Sequence, residues 1–196
     1  MIIFRQSPIN INDNNKLSIR INESFIDLGL FDKNIKSVPE IKNNNIIFNV
    51  KNNVKTKFNG YNFTLKQFHF HNPSEHKVNN KKYPMEVHFV HTFEDQILVI
   101  GLFIKDSNKF GPLDEAIENK ENEEKDIIIN IPKKDFNKFY YYPGSLTTHP
   151  YSNNVSWIVM TNPIGSKCID QWNNSYGKAR KIQKSCCSEV FKFNFN

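Results

Sequence analysis

Residues 67–91 read QFHFHNPSEHKVNNKKYPMEVHFVH, and they hold five of the six histidines in the chain. Lys66–His71 and Met85–His91 alternate with period two and are rich in Phe, Val and His, which predicts two strands. Asn72-Pro73 and Asn79-Asn80 mark turns between them. Side chains alternate faces along a strand, so Gln67, His69 and His71 share one face while Phe68 and Phe70 take the other. In the second run Glu86, His88 and Val90 share a face, and His91 falls on the opposite one. If the strands pair with these faces aligned, His69, His71 and His88 converge. Three neutral imidazoles with a fourth position free are the donor set of a catalytic zinc site. Gln67 and Glu86 each stand two residues from a candidate ligand, where they can accept the second ring N–H and fix its tautomer. A lone histidine on an apolar face is usually a satisfied core residue, and one His-x-His pair does not by itself require a metal. His76 and His91 lie off the convergent face and are read as structural hydrogen-bonding residues.

The same alternation continues outside this stretch. Asn45–Val50, Gly60–Leu65, Gln96–Ile104 and Val155–Met160 read as strands, with turns at Asn59-Gly60 and Pro143-Gly144. A helix is expected over Leu113–Asn122, after Gly111-Pro112, and a weaker one over Lys167–Asn173. Asn119–Asp126 is a charged, solvated stretch. The expected fold is β-rich: a mostly antiparallel central sheet with short peripheral helices.

At 196 residues the chain suits one domain. A 13% aromatic share with 17 Phe argues against disorder. Few glycines and no repeat exclude a solenoid or collagen-like chain. No run of about 18 apolar residues predicts a membrane helix. The net charge is +6, but lysines are scattered and accompany Asn runs such as Asn43-Asn44-Asn45, with no recognition motif. No nucleic-acid partner is expected. Cys168, Cys186 and Cys187 are odd in number and late, which is not a disulfide framework and suits a reducing compartment. Residues 1–8 lack the pattern of a signal peptide. A cytoplasmic location follows as the expectation, or a secreted or surface-exposed one if a leader has been removed.

The run FHFHNPSEH…MEVHFVH resembles the signature of the α-class carbonic anhydrases. Gln6-Ser7-Pro8-Ile9 is similar to the family's early QSPI motif. Tyr142-Pro143-Gly144-Ser145-Leu146-Thr147-Thr148 resembles its YxGSLTT loop, and Val155-Ser156-Trp157-Ile158-Val159 the strand that follows. The match runs in order over residues 6–163 and thins over 164–196, within one expected domain spanning 1–196. The resemblance implies a zinc enzyme that reversibly hydrates carbon dioxide to bicarbonate, with His69, His71 and His88 as zinc ligands supported by Gln67 and Glu86. It implies that Thr147 accepts a hydrogen bond from the attacking hydroxide and donates its own to Glu75. Thr148 would line the polar side. Val90, Val99, Leu146, Val155 and Trp157 would form the apolar wall for carbon dioxide. The partner is thus a small molecule, and the oligomeric state is not implied.

The chain also departs from the family. Aligning Phe48-Asn49-Val50 places Ile46 where fast members carry a histidine proton shuttle; Ile cannot carry a proton, so proton transfer is expected to be slow and buffer-dependent. His149-Pro150-Tyr151 replaces the usual two prolines and cysteine, which predicts a less rigid loop beside Thr147. The aromatic segment that precedes QSPI in the family has no counterpart here. Asn174–Lys178 echoes the late N-x-R-P motif poorly, and Cys186-Cys187 and Phe191–Asn196 match nothing in it. Some relatives have lost the metal and serve as binding modules, for example for sulfated glycans. The retained His69, His71 and His88, with Gln67, Glu75, Glu86 and Thr147, favour the enzyme over that alternative.

Overall fold

The computed structural model describes residues 6–14, 18–21, 25–172, 174–184 and 190–195, with the backbone alone at residue 135. Its principal elements are β1 (Ser18–Ile21), β2 (Ile35–Lys42), β3 (Asn45–Val50), β4 (Tyr61–His71), β5 (Met85–Phe93), β6 (Gln96–Asp106), α1 (Asp114–Glu118), β7 (Ile127–Ile129), β8 (Lys138–Ser145), β9 (Asn153–Met160) and β10 (Phe191–Phe195). The strands join in the order β7-β2-β3-β4-β5-β6-β9-β8-β10-β1 within a 13-stranded sheet among the described residues. Most pairs are antiparallel; β6–β9 and β10–β1 are parallel. The fold is therefore the β-rich, mixed but largely antiparallel sheet that the alternation predicts.

Register decides what each face carries, because side chains on paired residues project the same way. His69 stands opposite His88, His71 opposite Glu86, and Gln67 opposite Val90. The same face continues through Gly101 beside His88, Val99 beside Val90, Trp157 beside Val99, and Tyr142 beside Trp157. Around it lies an apolar cluster containing Ile9, Ile11, Val99, Phe103, Tyr142, Val155 and Trp157. The other face carries the larger core, where Phe68, Phe70 and Phe89 meet Leu98, Ile100 and the α1 residues Ala116 and Ile117. Phe48 stacks on Phe68 at 4.7 Å and meets Phe70 edge-on. Burying each of these phenyl rings contributes about 1.5–3 kcal/mol, so strand alternation in FHFH supplies both the core and the histidine cluster.

Several expectations are corrected. Gly60–Leu65 and Lys66–His71 are not two strands but one, Tyr61–His71, with a bulge between Leu65 and Gln67. The helix expected over Leu113–Asn122 is only Asp114–Glu118; beyond Glu118 the charged run has no apolar face to bury. The one expected over Lys167–Asn173 is a 3₁₀ turn at Ile169–Gln171; Asn173 lies outside the described residues. Ile35–Lys42 and Lys138–Ser145 were not expected as strands; each contains a proline, Pro39 and Pro143, that disguises it. The unmatched tail forms β10, paired with β8 and β1. Cys168 is buried and free, and Cys186 and Cys187 lie outside the described residues. Among the described residues no helix is long and apolar enough to cross a membrane.

His91 projects into the larger core, with Nε2 3.2 Å from the Thr56 hydroxyl and Nδ1 3.0 Å from the Phe89 carbonyl. Burial pushes its pKa from 6.5 down to about 4. Below pH 6.5 the unfolded chain takes up a proton that the folded ring refuses until about pH 4, so this stability is present above 6.5 and is lost as pH falls. Between pH 7 and pH 5 the loss is about 2 kcal/mol. Urea unfolding of the metal-free protein at the two pH values should show His91→Gln losing about 2 kcal/mol less than the parent; equal losses would mean that the ring is not held neutral.

Candidate metal centre

β4 and β5 deliver the histidines. The His69 and His71 ring centroids are 5.0 Å apart, His69 and His88 5.5 Å, and His71 and His88 4.6 Å. One nitrogen from each ring lies within 4.8 Å of the others. All three residues are buried. His69 Nδ1 pairs with Gln67 Oε1 at 2.9 Å, and His88 Nε2 with Glu86 Oε1 at 3.0 Å. Both partners accept, so these nitrogens carry the protons, and Nε2 of His69 and Nδ1 of His88 keep their lone pairs. Both ring nitrogens of His71 are buried without a hydrogen-bond partner. Burial and the neighbouring His88 push the pKa of His69 down to about 3 and that of His71 well below its ordinary value. Neutral, buried imidazoles with available lone pairs fit a zinc ion.

A second triplet, His76, Glu86 and His88, is equally close-packed, but its atoms satisfy one another. His76 donates its backbone N–H to Glu86 Oε2 at 2.9 Å, and its Nδ1 lies 2.7 Å from Glu86 Oε1. His76 Nε2 meets the Tyr142 hydroxyl at 2.6 Å, and that hydroxyl lies 3.0 Å from Ser7 Oγ. This is a closed hydrogen-bond chain, not a ligand set. Burial alone would raise the Glu86 carboxyl; the His76 and His88 rings overcome it and hold the group well below the usual carboxylate range. Gly101, opposite His88, makes the room: a Cβ there would stand 2.9 Å from Glu86 Oε1.

Glu75 differs. It is buried, with Oε2 3.5 Å from His71 Nε2 and 3.9 Å from His88 Nδ1. Burial raises its pKa; His88, the Thr147 hydroxyl and the Arg180 backbone N–H oppose that rise. Thr147 itself is buried, while Thr148 is exposed and lines a cavity of ≈ 280 Å³ with His71, Asn44, Gly177 and Lys178. Val99, Val155 and Trp157, with half-buried Val90 and Leu146, meet in the apolar cluster beside the histidines. The Trp157 ring is 4.8 Å from the His88 ring.

Ile46 is buried in the larger core with Phe48, on the face away from the histidines. Its neighbour Ile47 stands opposite His69. The histidine-shuttle position of the alignment therefore does not look into the site here. Within the stretch Asn174–Lys178 that echoes the late motif, Gly177 reaches the site, and Arg180 does so just beyond it. Gly177, at φ +63°, packs where a Cβ would be 2.1 Å from the Phe70 carbonyl oxygen, a position only glycine tolerates. Its carbonyl accepts from Asn72 N–H, and its N–H donates to Asn44. Arg180 donates its backbone N–H to Glu75 Oε1 at 2.7 Å. The signal that could have found it is composition: Arg180 is one of three arginines in a chain with 26 basic residues.

The model of the eukaryotic-type carbonic anhydrase family matches residues 4–185. A carbonic anhydrase of Nostoc sp. is 40% identical over 112 residues, covering 52% of this chain and 42% of that protein. The mitochondrial carbonic anhydrase 5B of Rattus norvegicus is 33% identical over 198 aligned positions, covering 82% of this chain and 60% of that protein. The chain thus spans about half the length of the curated relatives it matches. The solved α-carbonic anhydrase of Thermovibrio ammonificans, in complex with sulfanilamide, superposes with a TM-score of 0.81 at 28% identity, over 95% of this chain and 86% of that one. With a family model matching nearly the whole length and the same fold in a solved member, the chain belongs to the eukaryotic-type, or α-class, carbonic anhydrase family.

Proposed function

We propose that the chain is a zinc-dependent enzyme that hydrates carbon dioxide to bicarbonate and a proton. The observation that carries this is the buried cluster of His69, His71 and His88, with its ring tautomers set by Gln67 and Glu86. His69 Nε2, His71 and His88 Nδ1 would hold the ion. Bound there, zinc supplies the Lewis acidity that takes a water's pKa from about 15.7 to about 7, so hydroxide forms at neutral pH. Thr147 donates its hydroxyl hydrogen bond to Glu75, which leaves its oxygen to accept a hydrogen bond from the nucleophile and aim it. Val90, Val99, Leu146, Val155 and Trp157 hold carbon dioxide against an apolar wall, where it has no hydrogen bond to lose. Thr148 lines the polar side from which bicarbonate leaves. Glu86 keeps its charge and so keeps the proton on His88 Nε2.

On the β3 side of the cluster Ile47, not a histidine, stands opposite His69, so that strand offers the released proton no carrier. Proton transfer in this reading is slow and falls to buffer. Residues 1–196 act as one domain, with a small-molecule substrate and no nucleic-acid partner.

Stopped-flow hydration assays on zinc-reconstituted protein test the reading. Expected are one zinc per chain and zinc-dependent turnover, both abolished in His88→Ala, with Gln67→Ala weakening zinc binding roughly 10–100-fold. Zinc-loaded wild type without turnover would refute the assignment, and failure to bind zinc as well would favour a binding module. Turnover should also climb with buffer concentration. Ile47→His should reduce that dependence, because the position faces the cluster. Ile46→His should instead destabilise the fold by about 1–3 kcal/mol, because it puts an unpaired polar group in the core. Buffer-independent turnover in the parent would overturn slow proton transfer.

A further inference from the structure

Glu75 is the acceptor on which the aim of Thr147 depends, and it is held from a segment far away in sequence. The Arg180 N–H donates to Glu75 Oε1 at 2.7 Å. A backbone donor holds its partner only as firmly as its own segment is held, and residues 174–184 carry no regular secondary structure. The Arg180 side chain supplies the anchorage. Its Nη1 donates to Gln6 Oε1 at 3.0 Å and to the Ser7 carbonyl at 2.6 Å. Its guanidinium carbon sits over the Tyr151 ring, 3.8 Å from the centroid. Gln6 in turn donates to the Tyr151 carbonyl at 3.2 Å and to Asn153 Oδ1 at 3.1 Å.

Tyr151 closes the turn that carries the threonines: its N–H donates to the Thr148 carbonyl at 2.8 Å, and Leu146 N–H donates to Ser152 at 2.9 Å. One guanidinium therefore ties down both partners of the Thr147–Glu75 pair. It holds the threonine loop through Tyr151 and Gln6, and it holds the carboxylate through its own backbone. We propose that Arg180 is a positioning residue for the Thr147–Glu75 pair, fixing the separation on which the nucleophile's aim depends. This rests on the carbonic anhydrase reading above. Lysine cannot do the same work: an ammonium is not planar, so it cannot stack on Tyr151 while donating to both Gln6 and Ser7.

The test compares Arg180→Ala and Arg180→Lys with wild type in two measurements. In the zinc-loaded proteins, kcat/KM for hydration should fall roughly 10–100-fold in Arg180→Ala with a partial recovery in Arg180→Lys, while zinc affinity stays within about threefold because no ligand or ligand partner is touched. In the metal-free proteins, amide hydrogen exchange reads the placement directly. Residue 180 keeps its N–H in every variant, and in Arg180→Ala that amide should lose about tenfold or more of its protection as its segment loosens. Should Arg180→Ala not fold, Arg180→Lys carries both measurements. Unchanged kcat/KM per bound zinc overturns the proposal, including where thermal stability has dropped, since that marks a merely structural role. Undiminished protection at residue 180 overturns it equally. Zinc-loaded wild type that fails to hydrate carbon dioxide sinks the catalytic reading instead, and the amide still reports whether Arg180 holds Glu75 in place.

Discussion

Glu86 carries a charge that water cannot reach, and much of the site is arranged around keeping it. An isolated carboxylate in such a place costs several kcal/mol and would take up a proton. Three donors prevent this: the His76 backbone N–H, the His76 ring and the His88 ring. Satisfying Glu86 then has consequences at a distance. With Nδ1 of His76 committed to Glu86, its Nε2 pairs with the Tyr142 hydroxyl. That hydroxyl donates to Ser7 Oγ, which also takes the Ser145 N–H at 3.1 Å. One buried charge thereby fixes the tautomer of a candidate ligand, docks the QSPI segment, and pins the start of the threonine loop. Gly101 belongs to the same arrangement, since any side chain there would displace the carboxylate.

The two buried carboxylates of the site show how environment divides labour between identical groups. Glu86 meets donors on both oxygens, and its pKa is held down despite burial. Glu75 has one backbone donor on Oε1 and the Thr147 hydroxyl beside it, fewer donors than Glu86, and burial wins. A carboxylate saturated with donors is a fixed charge suited to holding a ring. One with a spare lone pair beside a threonine hydroxyl is an acceptor that sets the direction of that hydroxyl. The separation follows from position: Glu86 lies within β5, facing the His76 loop, while Glu75 sits at the end of a turn and needs residues 174–184 to close over it.

What could be read from the sequence was what obeys a short period. FHFH and MEVHFVH alternate, so the shared faces of His69 with His71 and of His88 with Glu86, and the reach of Gln67 and Glu86, follow from parity; their convergence needs the register between the strands as well. Parity also places Ile46: Phe48 is in the core, so Ile46, two residues away on the same strand, is there too. Family alignment pointed to the position without regard to which face it occupies. Pro39 and Pro143 hid β2 and β8, because proline is a turn signal until a sheet edge or bulge accommodates it. The helix over Leu113–Asn122 was overdrawn because its charged half has good propensity and nothing to pack against. Arg180 and Gly177 had no period to betray them. Their roles come from contacts made across more than 100 residues of sequence, which no local pattern encodes.

That long reach also explains why the loop His149-Pro150-Tyr151 is held despite lacking the family's second proline and cysteine. Two features fix a surface turn: a stiff chain, or contacts at its tip. Here the tip is Tyr151, with the Arg180 guanidinium over its ring and Gln6 on its carbonyl. The contacts come from far along the chain on either side, one from residue 6 and one from residue 180. A short segment on each side thus converges on the loop and gives its tip partners. The arrangement makes three pieces of chain interdependent. The N-terminal QSPI run has its amide and carbonyl groups used, the threonine loop has its tip anchored, and the segment through Arg180 gains the fixed position from which its N–H meets Glu75. Remove any one and the other two lose a partner, so the order of this corner is cooperative and not the sum of three separately stable turns.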